Sequence, residues 1–187
     1  MQNNTTTTKN LDKKREDALK KGIIYLNEDF TSESMEYVMH ALEDLHANKN
    51  IETIEIRINS NGGYTDSLFA LIDWIDRAKR PITTTVLGKA YSCGAFLLLS
   101  GTKGHRRANR HSMILLHEVA NDNGYGQVTH QEDNIERMRT INDFLKNLLL
   151  EKTTMQQEDI KKYMEEGRDR FITAEQALAH GIIDQII

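Results

Sequence analysis

The sequence predicts an α/β fold of largely parallel strands with helices packed around them, on three observations. Short β-branched segments alternate along the chain with segments whose apolar residues recur every three or four positions, the pattern of successive strand-helix units. Ile54, Ile56 and Ile58 alternate with Glu55 and Arg57 as a half-buried strand would, and run into the turn Asn59-Ser-Asn-Gly-Gly63, rich in residues that tolerate positive φ. Ile82 to Val86 leads through a small-residue corner into Ala95 to Leu99, apolar enough for a helix buried all round.

In chain order, residues 1–17 are Asn- and Thr-rich and then charged, without apolar period, and read as a polar tail, disordered or gating. Residues 18–187 form the folded unit, long enough to bury a core. Gly22 to Leu26 is a strand. A helix from about Ser32 follows, with Met35, Val38, Met39, Leu42 and Leu45 on one face. After the Gly62-Gly63 turn a second helix takes Leu68, Phe69, Leu71, Ile72, Trp74 and Ile75 inward and stops at Pro81. The basic run Lys103 to Arg110 reads as a solvated connection to a strand through Ile114, Leu115 and Leu116 that ends at His117. Asn121 to Gly126 reads as a flexible linker, and Ile135, Met138, Ile141, Leu145, Leu148 and Leu149 mark a long helix from Val128 to Thr153. Thr154-x-x-Gln157 and Thr173-x-x-Gln176 are candidate capping boxes, Gly181 a helix stop, and Ile182 to Ile187 a closing strand.

The net charge of −4 gives no reason to expect nucleic acid or an anionic membrane as partner. No apolar leader precedes the fold and no run approaches the length of a membrane span. A single cysteine, Cys93, excludes an internal disulfide and fits a reducing, cytoplasmic setting.

Three places gather at the carboxyl ends of parallel strands, where α/β folds keep their sites: the Gly62-Gly63 turn, the Ser92 corner and His117. Ala90-x-Ser92-x-Gly94 departs by one residue from the G-x-S-x-G elbow that exposes a nucleophile. Each residue has an ordinary reading as well. Ser92 alone reads as a helix cap, His117 as a half-buried histidine, and Asp169, in the polar link Gly167-Arg-Asp-Arg-Phe171, as a partner of Arg168 or Arg170.

Read jointly, the segments Ile58-Asn-Ser-Asn-Gly-Gly63, Ala90-Tyr-Ser-Cys-Gly-Ala-Phe-Leu-Leu98, Met113-Ile-Leu-Leu-His117, Arg168-Asp-Arg-Phe171 and Ala179-His-Gly-Ile-Ile-Asp184 occur in the order of one known family. Over about residues 19–187 the chain resembles the proteolytic subunit of the Clp protease, ClpP. The resemblance implies a ClpP/crotonase-like spiral of βαβ units with a projecting handle helix at about 120–153. It places the nucleophile at Ser92, the base at His117, the carboxylate at Asp169 and the oxyanion-hole amides at Gly63 and Cys93. It further implies a serine endopeptidase that hydrolyses unfolded polypeptides or peptides inside two stacked heptameric rings, fed by an AAA+ unfoldase and needing no metal or other cofactor. The chain departs from the family at Asn61, where proline is usual, at Glu118-Val119 in place of Gln-Pro, and at Gly167 in place of an acidic residue.

Alternatives stand beside this reading. A phage head-maturation protease shares the fold. A crotonase-like acyl-CoA-handling enzyme shares the spiral and a two-amide oxyanion hole without needing the triad, and a silent ring subunit would need no chemistry. Within the site, Cys93 is a rival nucleophile, since a thiol at a helix N-terminus has a lowered pKa. Lys89 is a rival base, though it lies at the preceding strand end and should point elsewhere. His117-Glu118 opens like a zinc-protease helix, but Asn121 stands where the second ligand would be.

Overall fold

A computed structural model describes residues 13–120 and 126–187. The elements, in chain order, are helix α1 (residues 13–19), β1 (Ile23–Leu26), α2 (Ser32–Ala47), β2 (Ile54–Ser60), α3 (Thr65–Arg77), β3 (Ile82–Tyr91), α4 (Cys93–Ser100), β4 (Arg106–Ala108), β5 (Met113–Leu116), α5 (Val128–Lys152), α6 (Gln157–Met164), β6 (Arg170–Thr173), α7 (Ala174–Ala179) and β7 (Gln185–Ile186). Among the described residues the strands form one sheet in the order β1-β2-β3-β4-β7, with β5 also on β3 and β6 on β5. Every pairing is parallel except β5 with β6. The mixed α/β class expected from the sequence is the one found.

Strand β3 is the axis. Along one side it pairs with β2; along the other its first half, Thr84 to Val86, pairs with β4 and its second half, Lys89 to Tyr91, with β5. Between the rungs Ile58↔Val86 and Ser60↔Ala90 the register with β2 shifts, because β3 carries the additional residues Leu87 and Gly88 there. The isoleucines of β2 are fully buried as the alternation requires, while Glu55 and Arg57 pair with each other at 2.9 Å on the other face. Helix α4 is buried at all eight positions. Its C-terminal carbonyls would be costly to bury unpaired. The hydroxyl of Thr84 donates to one of them, Leu98 O, at 2.7 Å, while that of Ser100 back-bonds within the helix to Phe96 O at 2.7 Å.

Four expectations change. Residues 13–17 are helical, in α1, rather than part of a tail; the rest of the expected tail, 1–12, lies outside the described residues, as does 121–125 of the expected linker. The basic run is no solvated connection, for Arg106 to Ala108 are strand β4 and Arg106 is buried. The guanidinium of Arg106 pairs with the Asp184 carboxylate at 2.6 Å and donates to Lys152 O at 2.7 Å, so a cation can enter the core there. The cap of α6 falls two residues late: Thr153 closes α5, the Thr154 N–H donates to His180 O, and it is Asp159 that accepts from the Gln156 N–H. Finally, Arg170 to Thr173 form a strand.

The first half of α5 buries no side chain; only Leu145, Leu148 and Leu149 enter the core. Among the described residues no helix is long and apolar enough to cross a membrane.

Burial alone would raise the Asp184 carboxyl, but the hydrogen bonds and charge of Arg106, with the N–H of Gly104, outweigh it and hold the group below its ordinary 3.8. The sign follows: this stabilisation is present above pH 3.8 and is lost as pH falls through the lowered native value. Asp184→Asn should therefore cost about 3 kcal/mol in urea unfolding at pH 7. The difference from wild type should close as the pH is taken below 3.8.

Candidate active site

Ser92 stands between the last residue of β3 and the first of α4, with φ 53° and ψ −124°. Among the described residues it is the one non-glycine with positive φ, a conformation that costs about 1–3 kcal/mol and persists only where its surroundings impose it. They do so here. The Ser92 N–H donates to Leu115 O on β5 at 3.0 Å, and its carbonyl accepts from Ala95 and Phe96 at 2.9 and 3.3 Å. Its side chain makes no capping hydrogen bond, so the helix-cap reading of this serine fails.

The glycine turn leans on the same corner. Gly62 has φ 97°, and a Cβ there would lie 2.7 Å from Ser92 Cβ and 2.9 Å from Cys93 N, closer than atoms tolerate. Gly63, at φ 140°, has no room for a Cβ against the Phe30 carbonyl. A bridge holds the turn to Phe30, through Phe30 N–H to Gly62 O at 2.6 Å and Tyr64 N–H to Phe30 O at 3.0 Å. Among the described residues the bridge gives the Gly63 N–H no backbone acceptor, and the Cys93 N–H, at the first position of α4, has no intrahelical one.

Cys93 joins turn to helix, its Sγ–H donating to Gly63 O at 3.1 Å. Burial pushes the thiol up to about 11 despite the opposing influence of the Gly63 and Cys93 amides and the Ser92 side chain. A thiol so placed is protonated at neutral pH, which removes Cys93 as the rival nucleophile. Lys89 is engaged elsewhere, its Nζ donating to Asn61 Oδ1 at 2.6 Å.

His117 and Asp169 follow from strand register. In the antiparallel pair β5-β6 the final rung is Leu116↔Arg170, so the next position brings His117 opposite Asp169. In the parallel pair β3-β5 the final rung is Tyr91↔Leu115, so Ser92 comes level with Leu116, one residue before His117. The three residues thus leave three adjacent strands at one end of the sheet. His117 and Asp169 line one cavity of about 390 Å³ with Glu118, Tyr163 and Met164. His117 is half-buried and Asp169 exposed. Among the described residues no hydrogen bond joins Ser92 to His117 or His117 to Asp169, so the structure gathers these groups without closing contact between them.

Sequence reading put Asp169 in a helix-to-helix link and missed the strand that carries it. The β-prone Phe171-Ile-Thr173, just before the Thr173 box, was the available signal. It also missed why Gly167 replaces an acidic residue: φ is +61° there, in the turn between α6 and β6. The Tyr91 and Phe171 rings meet edge to face at 5.6 Å and couple β3 to β6 beside the site.

The family model described as Clp protease matches residues 6–187. Curated relatives agree. The ATP-dependent Clp protease proteolytic subunit 2 of Bacillus licheniformis is 34% identical over 169 residues, covering 90% of this chain and 87% of the relative. Subunit 4 of Streptomyces avermitilis is 34% identical, covering 88% and 72%, and subunit 2 of Streptomyces coelicolor 33%, covering 88% and 75%.

With its thiol pushed from 9.0 to about 11, native Cys93 should react with an aromatic disulfide reagent at pH 8 at least about 100-fold more slowly than in the unfolded chain. Because the native state resists ionisation, the stability contributed by this thiol holds below pH 9.0 and declines as pH climbs towards 11. Equal rates in the two states would refute the buried, protonated thiol.

Proposed function

Because this chain belongs to the Clp protease family, and is therefore a serine-type peptidase, we propose that it cuts polypeptides by acyl transfer at Ser92. The observation that carries the reading is a serine held in left-handed backbone, its hydroxyl not spent on capping, beside two backbone N–H groups that neither bridge nor helix uses. His117 takes the hydroxyl proton as Ser92 Oγ attacks the peptide carbonyl, and the N–H groups of Gly63 and Cys93 receive the oxyanion. His117 then gives the proton to the leaving amine. In the second half it takes a proton from the water that attacks the acyl-enzyme and passes it to Ser92 Oγ as the acyl–oxygen bond breaks, restoring both groups. Asp169 fixes the imidazole tautomer and stabilises the imidazolium. The open hydrogen bonds of the isolated chain are compatible with this, since catalytic contacts commonly tighten only with substrate in place.

The same reading assigns the chain to a ring-shaped homo-oligomer of two stacked heptamers, in the cytoplasm, that admits unfolded polypeptide from an AAA+ unfoldase. The first half of α5 supports the assembly: Val128 and Ile135 are exposed on a helix that fully buries no side chain over that span. An acyl-CoA-handling reading has no use for the strained serine and is set aside.

Wild type should hydrolyse a fluorogenic peptide and be labelled at Ser92 by a fluorophosphonate. Ser92→Ala should abolish labelling and lower kcat at least about 10⁴-fold, and Asp169→Asn should lower kcat about 10²- to 10⁴-fold while light scattering shows the oligomer intact. A wild-type oligomer that neither cleaves peptide nor takes the label would overturn the proposal.

A further inference from the structure

Asn61 stands immediately before Gly62 and Gly63 and is bonded through both its backbone N–H and its side-chain oxygen. Its N–H donates to Asp29 Oδ1 at 3.0 Å, from the loop between β1 and α2, and its Oδ1 accepts from Lys89 Nζ at 2.6 Å. Lys89 lies on β3 three residues before Ser92, at the rung opposite Met113. Its ammonium also lies 5.8 Å from the centre of the Tyr91 ring, and Tyr91 touches Phe171 on the strand that follows Asp169. The Lys89 ammonium therefore ties the glycine turn to the strand that delivers Ser92.

The turn needs such a tie. Gly62 and Gly63 carry no side chain to lodge them, and both occupy left-handed backbone. Beyond the Phe30 bridge, the turn is held by Gly62 N–H to Ser60 Oγ at 3.1 Å and by Cys93 Sγ–H to Gly63 O at 3.1 Å, neither of which engages Asn61. An oxyanion donor works only within about 2.7–3.1 Å of where the charge develops, and a displacement of about 1 Å costs about 10²-fold in rate. A charge-assisted hydrogen bond is roughly twice as strong as a neutral one. An exposed lysine contact nevertheless adds little to global stability.

We propose that Lys89 is a positioning residue for peptide cleavage: through Asn61 it aims the Gly63 amide, and its effect appears in kcat rather than in substrate binding or stability. The proposal rests on the Ser92 reading above for its kinetic consequence, but the restraint of the turn stands apart from it and is measured separately.

In the Ser92→Ala protein, hydrogen exchange over residues 59–64 should rise about tenfold on adding Lys89→Met and return towards the starting rate with Lys89→Arg. In the active protein, Lys89→Met and Asn61→Ala should each lower kcat about tenfold, with KM within about twofold and Tm within about 2 °C. The double variant should be no worse than either single, because both remove one contact. Unchanged exchange, kcat within twofold of wild type, or additive single effects would each overturn the proposal. An inert wild type with accelerated exchange in Lys89→Met would sink the peptidase reading and leave the restraint standing.

Discussion

The left-handed backbone of Ser92 is the constraint from which the site follows. Strand β3 must turn at once into a helix that is buried on every side, and an L-residue bears the strain of that corner. The corner holds because α4 is fixed beneath it by apolar contact all round and by the Thr84 hydroxyl on Leu98 O, while the neighbouring strand accepts the serine's own N–H. Strain of about 1–3 kcal/mol is small beside the burial of eight residues. Two consequences spread outward. The hydroxyl stands away from capping duty, and the chain that passes over it has to be glycine, since a side chain at Gly62 would collide with Ser92 itself.

Topology then supplies the company. Parallel pairing of β3 with β5 and antiparallel pairing of β5 with β6 carry three distant segments to one end of the sheet. No long-range contact has to be built specially for His117 to stand opposite Asp169; both occupy the first position past a shared ladder. What the ladder does not fix is the final approach of side chains, which depends on rotamers and on whatever covers the exposed carboxylate.

Much of this was legible in the sequence, for identifiable reasons. Period-two alternation gave β2, the uninterrupted apolar run gave α4, and the Ser, Gly-Gly and His segments, being strand ends with unusual turn residues, marked the site. The parts that were not legible are those decided by tertiary pairing. Arg106 looks solvated until Asp184, far along the chain, arrives to neutralise it. The strand from Arg170 is too short to announce itself without β5 beside it. Thr154 does not cap α6 because its N–H and its hydroxyl both turn to the end of α7, at His180 O and Ala179 O. The pKa of Cys93 was misjudged for a related reason. Helix position favours the thiolate, but the desolvation that outweighs it is a property of packing.

Strand β3 forks, and the fork divides the molecule's labours. Upstream of Leu87 and Gly88 its free edge carries β4 and β7, with the buried arginine and its carboxylate; downstream it carries β5 and β6, with the imidazole and the other carboxylate. The two residues at the crotch have no rung partner on either flank, so distortion of one prong has no continuous ladder by which to reach the other. The buried ion pair and the candidate catalytic groups thus occupy separate limbs of a single sheet, which meet again through α4, since Thr84 of the upstream limb grips the helix that underlies Ser92.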